Sequence, residues 1–515
     1  MKALRWGAAW AAIGMLAFGA AGAQATAWIR ADSGHFTLYS TVGEHLTRSY
    51  VHKLEEFRTL SNMLLGASDG GPQVKFVIYL MKPEDLLKVR PNLSTHVGGV
   101  YFNCGEGTAA YVGENNANID TFEGEDLSLI TLFHEYSHYV MFQHARTYYP
   151  QWYVEGFAEY MSTADPEKGT ISLGEASKMR TYTLSSDHWI SFDKVLDPDF
   201  GFAGDKQNDA LEIASFYAQS WLLTHYMLSS TNRAQDLNDY FARLAKGEAP
   251  VAAWEAATGI PVKDLSGVLQ KYMDHMYFLK VPVPDYPDSD IAVTPVAAEV
   301  QPFLLDRSLL TTCPERDQGQ AILDRLTAEK ATSGNNLDFN LTLARANLMY
   351  GKVEDAEAIM NPLVDAHADS FETNYLMGRV YLKESEAALD AKGRNDLIDA
   401  ARGFFIAAYK INKLDAPNLY YLARSFSDKP GFPEQNALNA ANGAHALAPG
   451  AAEYAAFDAF ANLMNGKRDE AATLLQPMAS DPHNHASAQR ARRAIDAIKA
   501  GKTAHEVLAI LNGVA

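Results

Sequence analysis

His134-Glu135-Tyr136-Ser137-His138, followed by Trp152-Tyr153-Val154-Glu155-Gly156-Phe157-Ala158-Glu159-Tyr160, is the stretch on which the reading of this 515-residue chain turns. The first five residues have the pattern HExxH. Residues four apart on a helix share a face, so His134 and His138 can grip one metal ion. Glu135 stands beside them, placed to handle the proton of a water at that metal. Glu155 follows His138 by 17 positions, a gap that suits a turn and a return helix, and offers a third ligand. Pro150 marks the start of that helix, since proline is tolerated in a first turn. Gly156 is expected to let the two helices approach closely. Three protein ligands leave one tetrahedral position open, which separates a catalytic zinc from a structural one. Glu159 shares the helix face of Glu155 and can accept the free ring N–H of a metal-bound histidine.

HExxH alone is short enough to arise by chance, and an amphipathic helix with two solvated histidines would carry it equally well. The surroundings argue for a site. Leu127-Ser-Leu-Ile-Thr-Leu-Phe133 before the motif and Tyr139-Val-Met-Phe142 after it read as a buried helix. Two histidines and a glutamate inside such a helix need partners, which a metal supplies.

On these residues the chain resembles the gluzincin metallopeptidases, whose pattern is HExxH with a glutamate ligand on a downstream helix. The segment Trp152-x-x-Glu155-Gly-x-Ala-Glu159-Tyr160 is especially similar to the peptidase-MA-like family, and more distantly to the aminopeptidase branch of that clan. The resemblance implies that His134, His138 and Glu155 bind zinc and that Glu135 is the general base. It also implies a downstream tyrosine or histidine that stabilises the tetrahedral intermediate. Tyr217, in Ser215-Phe-Tyr217-Ala-Gln-Ser-Trp221, is the match, with His225 as the alternative. A tyrosine merely packed on an apolar helix is the other reading of Tyr217. The His/His/Glu set favours Zn2+, although a relaxed site could accept cobalt or manganese. No aminopeptidase-type glycine-rich recognition motif precedes the helix, Gly98-Gly99-Val100 being a poor match, so endopeptidase action is favoured.

The length calls for at least two domains. A net charge of −19 makes nucleic acid or anionic lipid a poor partner. Met1-Lys-Ala-Leu-Arg5, the apolar run Trp6 to Ala21 and the small residues Ala21-Gly22-Ala23 read as a signal peptide over 1–23, with an uncleaved anchor as the alternative. Export to a bacterial periplasm follows, with no stable membrane span after cleavage. Of the two cysteines, Cys104 and Cys313, a disulfide is chemically permissible on export. Their separation and the placement of Cys313 in a proline-rich stretch weigh against one, and the pairing stays open.

The expected fold class is α+β: a zincin-like metallopeptidase domain over 27–280, with a mixed sheet and active-site helices, then an all-α helical solenoid. His35 to Ser40, Val74 to Leu80, Gly98 to Phe102 and Thr108 to Val112 read as strands, and Glu44 to Leu65 as a helix. The Tyr101 to Val112 region is expected to flank the cleft. Residues from Ser128 to about Leu279 read as mainly helical. Val281-Pro-Val-Pro-Asp-Tyr-Pro-Asp-Ser-Asp290 opens a linker over 281–320 that discourages helix and sheet. Over 321–515 the small residues Ala344, Gly378, Ala423 and Ala459 recur at 34, 45 and 36 positions, with an insertion around Glu384 to Asn395. This period resembles tetratricopeptide (TPR) repeats, whose stacked pairs form a concave surface for peptides or partner proteins. The expected partners are therefore a peptide or protein substrate and a protein on the repeat surface. A protein-binding scaffold with an inactive metallopeptidase-like domain is the rival function.

Overall fold

Phe36-Thr37-Leu38-Tyr39-Ser40 alternates faces as expected of a strand, and its neighbours build a sheet around it. The computed structural model describes residues 27–66, 74–91, 98–114, 126–144, 147–167, 169–175, 178–186, 188–198, 200, 210–481 and 484–514. The signal-peptide reading of 1–23 lies outside the described residues. In chain order come β1 (Ile29–Asp32), β2 (Phe36–Ser40), α1 (Glu44–Leu65), β3 (Phe76–Met81), α2 (Pro83–Val89), β4 (Gly99–Cys104) and β5 (Gly107–Gly113). The helices α3 (Leu127–His144) and α4 (Gln151–Ser162) follow, then β6 (Asp165–Glu167), β7 (Thr170–Leu173), α5 (Lys178–Leu184), α6 (Phe192–Val195) and α7 (Ala210–Leu228). Next are α8 (Thr231–Ala245), α9 (Pro250–Thr258), α10 (Leu265–Met273), β8 (Leu279–Pro282), β9 (Ala292–Pro295) and α11 (Leu304–Leu309).

Six strands form a mixed sheet in the order β4-β5-β3-β2-β1-β9. The β4–β5, β2–β1 and β1–β9 pairs are antiparallel, and the β5–β3 and β3–β2 pairs are parallel. Period-two alternation sends Phe36, Leu38, Ile78, Leu80, Ala110 and Val112 to one face. There they meet Tyr50, Leu54 and Phe57 of α1 and Leu132, Phe133 and Tyr136 of α3. Phe57 and Phe133 stack with ring centroids 3.9 Å apart. The sheet therefore presses the metal-motif helix into place.

The opposite face carries Tyr79, Met81, Ala109 and Tyr111, and it is covered from beyond residue 280. Phe303, Leu304 and Leu309 pack on it together with Ile322, Leu326, Phe339 and Leu343. Tyr111 donates its hydroxyl hydrogen bond to Ser308 Oγ at 3.1 Å. The stretch 281–320 thus departs from the linker expected. It supplies β9 to the far edge of the sheet, the end of β8 to a second sheet of order β6-β7-β8, and α11 to the back face. Proline does not prevent this, because β8 and β9 are edge strands and Pro282 and Pro295 end them. The small second sheet also interrupts the region read as mainly helical.

Cys104 and Cys313 form a disulfide, against the weight of the sequence reading. Linear distance misled: α11 lies against the sheet, and a Cβ on Gly107 would stand 3.1 Å from Thr311 O. The bond closes a separation of 209 residues. Replacing both cysteines by serine is expected to lower the unfolding free energy by about 2–4 kcal/mol. Urea unfolding of the two proteins side by side checks this.

The remainder is helical. After α12 (Arg316–Ser333) come helix pairs α13 (Leu337–Tyr350) with α14 (Val353–Ala366), and α15 (Phe371–Ser385) with α16 (Ala391–Ile411). Then follow α17 (Ala416–Arg424) with α18 (Gln435–Leu447), and α19 (Ala452–Met464) with α20 (Arg468–Leu474). The helices α21 (Gln476–Ala479), α22 (His485–Lys499) and α23 (Ala504–Leu511) close the chain. Ala344, Gly378, Ala423 and Ala459 fall on the first helix of successive pairs, where small residues let the second helix approach. A Cβ at Gly378 would lie 2.6 Å from the Phe405 ring. The extra residues near Glu384 to Asn395 are absorbed by a turn and the 21-residue α16. Among the described residues, no helix is long and apolar enough to cross a membrane.

Candidate metal centre

Two helices bring the predicted ligands together. α3 places His134 and His138 one turn apart, and α4, capped by Pro150, returns with Glu155 facing them. His134 Nε2 lies 3.1 Å from His138 Nε2 and 3.3 Å from Glu155 Oε2, and the third side, His138 Nε2 to Glu155 Oε2, is 3.6 Å. A tetrahedral zinc with ligands at about 2.0–2.1 Å spaces its ligand atoms about 3.3–3.4 Å apart. The triangle fits that requirement. Glu155 is fully buried, and a carboxylate in such a position demands cationic company.

Glu159 sits behind His134, with Oε1 3.4 Å from Nδ1. It is gripped from the other side by Arg180 of α5, which donates from Nε at 2.7 Å and from Nη2 at 2.6 Å. Burial opposes ionisation of Glu159, but the Arg180 charge and the hydrogen bonds from His134 and Arg180 bring it down to about 2. Burial likewise opposes a charged His134 ring, and hydrogen bonds and charge from Glu155 and Glu159 outweigh it, raising the ring to about 10. Arg180 was missed by sequence reasoning. It is 21 positions from Glu159 on a different helix, and no motif spacing connects them. An Arg180→Met substitution removes the fork that holds Glu159. Loss of such a supporting contact is expected to weaken metal binding about 10–100-fold, measurable by competition with a chelator.

Glu135 is partly buried, within electrostatic reach of Tyr101 on β4 and Tyr217 on α7. The Tyr217 ring stands 6.5 Å from that of His134, and the Arg180 guanidinium lies 5.3 Å over it. Burial, with the charges of Glu155 and Glu159, holds the Tyr217 phenol well above its ordinary value, so the hydroxyl remains a donor. His225, the alternative to Tyr217, is committed elsewhere. Its Nδ1 pairs with Tyr272 Oη at 2.8 Å and its Nε2 with Gly174 O at 3.1 Å.

Gly156 serves a different contact from the one expected. A Cβ there would lie 2.3 Å from Ser220 O, so its small size seats α4 on α7 rather than on α3. Close approach to α3 falls instead to Gly98, whose Cβ would be 2.9 Å from Leu127 O. β4 is thereby laid along the start of α3, and it is an edge of the six-stranded sheet.

A second cluster among the described residues, His52, Glu56 and Asp285, is a weaker metal candidate. His52 meets Glu56 through Nδ1 at 3.7 Å and Asp285 through Nε2 at 3.3 Å. Its two carboxylates face different ring nitrogens, and Asp285 is exposed.

Helix-borne HExxH with a carboxylate from the next helix gathers three donor atoms that could hold one metal ion. Comparison with known proteins points the same way. Residues 62–259, which contain His134, Glu135, His138, Glu155, Glu159, Arg180 and Tyr217, match the family model for collagenase. A microbial collagenase of Vibrio parahaemolyticus is 24% identical over 342 residues, covering 63% of this chain and 36% of that protein. The chain therefore spans little more than a third of that relative's length. A thermophilic TPR protein of Thermus thermophilus aligns in structure with 39% of this chain and 100% of its own, at 18% identity and a TM-score of 0.32.

Proposed function

We propose that this chain is an exported zinc-dependent metallopeptidase that hydrolyses peptide bonds, cutting within chains. The observation that carries the reading is the triangle of His134 Nε2, His138 Nε2 and Glu155 Oε2, with sides of 3.1 to 3.6 Å. The collagenase match over 62–259 supports the same chemistry. Export rests on the N-terminal sequence alone.

Bound zinc would supply Lewis acidity to a water and to the scissile carbonyl. Glu135 takes a proton from the attacking water and delivers it to the leaving amine as the C–N bond breaks. The Tyr217 hydroxyl donates to the oxygen that gains charge. Glu159 accepts from Nδ1 of His134, which turns Nε2 towards Glu155, and Arg180 keeps Glu159 ionised. β4, which among the described residues pairs with β5 alone, offers its other edge to an extended peptide by strand addition.

The test is cleavage of a mixed quenched-fluorescent peptide library by purified protein. Activity is expected to vanish with a zinc chelator and return on adding zinc. Cleavage indifferent to the chelator, or none at all from zinc-loaded protein, rejects the reading.

A further inference from the structure

The tip of the β4–β5 hairpin reaches beyond the sheet into the helical array. The Glu106 side chain at that tip is only 9% exposed, and among the described residues its carboxylate partners come from the array. Arg379 Nη1 donates at 2.7 Å, Tyr421 Oη at 3.0 Å, Tyr375 Oη at 3.3 Å and Arg345 Nη1 at 3.4 Å. Beside it Tyr454 donates its hydroxyl hydrogen bond to Gly105 O at 2.7 Å. Burial works against an ionised Glu106, and the two guanidinium charges with the Tyr421 hydrogen bond overcome it.

The cage is built by the first helices of four successive pairs: Arg345 on α13, Tyr375 and Arg379 on α15, Tyr421 on α17 and Tyr454 on α19. Arg345 and Arg379 each follow the small residue of their repeat directly, so they occupy equivalent positions 34 residues apart. Such a face was expected to receive a partner protein. Around Arg345 and Arg379 it holds the chain's own hairpin. The Cys104–Cys313 disulfide, two residues from Glu106, fastens the same tip covalently and opposes its exchange for another ligand.

Among the described residues β4 has a ladder partner on one side only, so its position depends on what holds its ends. Gly98 sets its beginning against α3, and the Glu106 cage and the disulfide hold its end. We propose that the helical array acts within its own chain as a clamp, with Glu106 as a positioning residue that fixes edge strand β4 beside the metal-site helix for peptide binding. The peptide-binding part rests on the metallopeptidase reading; the grip itself does not.

The test compares full-length, zinc-loaded wild type with Glu106→Gln, and with the milder Tyr421→Phe and Tyr454→Phe, which keep the cage charges should Glu106→Gln fail to fold. Hydrogen exchange of residues 99–104 is followed against that of β2 and β3, together with KM and kcat on the peptide library. Amides of 99–104 are expected to exchange about tenfold faster or more, with β2, β3 and metal content unchanged. KM is expected to rise while kcat holds. Unchanged exchange at 99–104, or loosening that spreads equally through β2 and β3, overturns the clamp. An unchanged KM beside faster exchange overturns the positioning role. If wild type cleaves no peptide, the metallopeptidase reading and the positioning role fall together, and exchange alone decides the grip.

Discussion

Glu135→Gln is expected to keep a full complement of metal and to lose peptide hydrolysis by about 10²–10⁴-fold in kcat. The substitution preserves size and hydrogen bonding but removes the base. Glu135 belongs to none of the three sides of the ligand triangle, so the metal loses no ligand atom. The group lost is the one proposed to move a proton from water to the leaving amine. Parallel assays of metal content and single-turnover cleavage separate the two effects. A variant as active as wild type would mean that another group does this work, or that the site is not the site of hydrolysis.

Glu106→Ala is expected to lower stability by about 3–5 kcal/mol, because removing one partner of a buried ion cluster leaves the other charge uncompensated. Arg379 depends on this carboxylate most. Its other contacts are Tyr375 Oη at 2.8 Å and the Tyr421 ring, 3.9 Å from the guanidinium carbon. Arg345 retains Glu372 at 3.4 Å. The effect has a pH signature. The folded-state pKa of Glu106 lies below its usual 4.5, so its contribution is fully present above that value and is lost as pH falls through the folded pKa. The difference between wild type and Glu106→Ala in urea unfolding should therefore narrow on acidification. A difference below about 1 kcal/mol at neutral pH, or one that ignores pH, would show that the cage contributes little.

What the sequence revealed and what it concealed follow from the range of the interactions. His134, His138 and Glu155 lie on two consecutive helices, so helical periodicity and one loop length were enough to group them. Glu44 to Leu65 and the hairpin strands were legible for the same local reason. Arg180 reaches Glu159 from a third helix, and the cysteine pair meets only because α11 folds back on the sheet. Neither is a property of spacing. The stretch after residue 280 was misread because proline is excluded from the middle of a sheet but tolerated at its edges, and edge position is a fact of topology. Arg345 and Arg379 did leave a trace, since they share one repeat position, but nothing in the pattern named Glu106 as their ligand.

The proposed chemistry depends on a zinc ion held by His134, His138 and Glu155. Its most direct test is the metal content of purified protein by elemental mass spectrometry, wild type beside His138→Ala. One zinc per wild-type chain and its loss in the variant are expected. A folded wild type that holds no stoichiometric metal after zinc is supplied would contradict it.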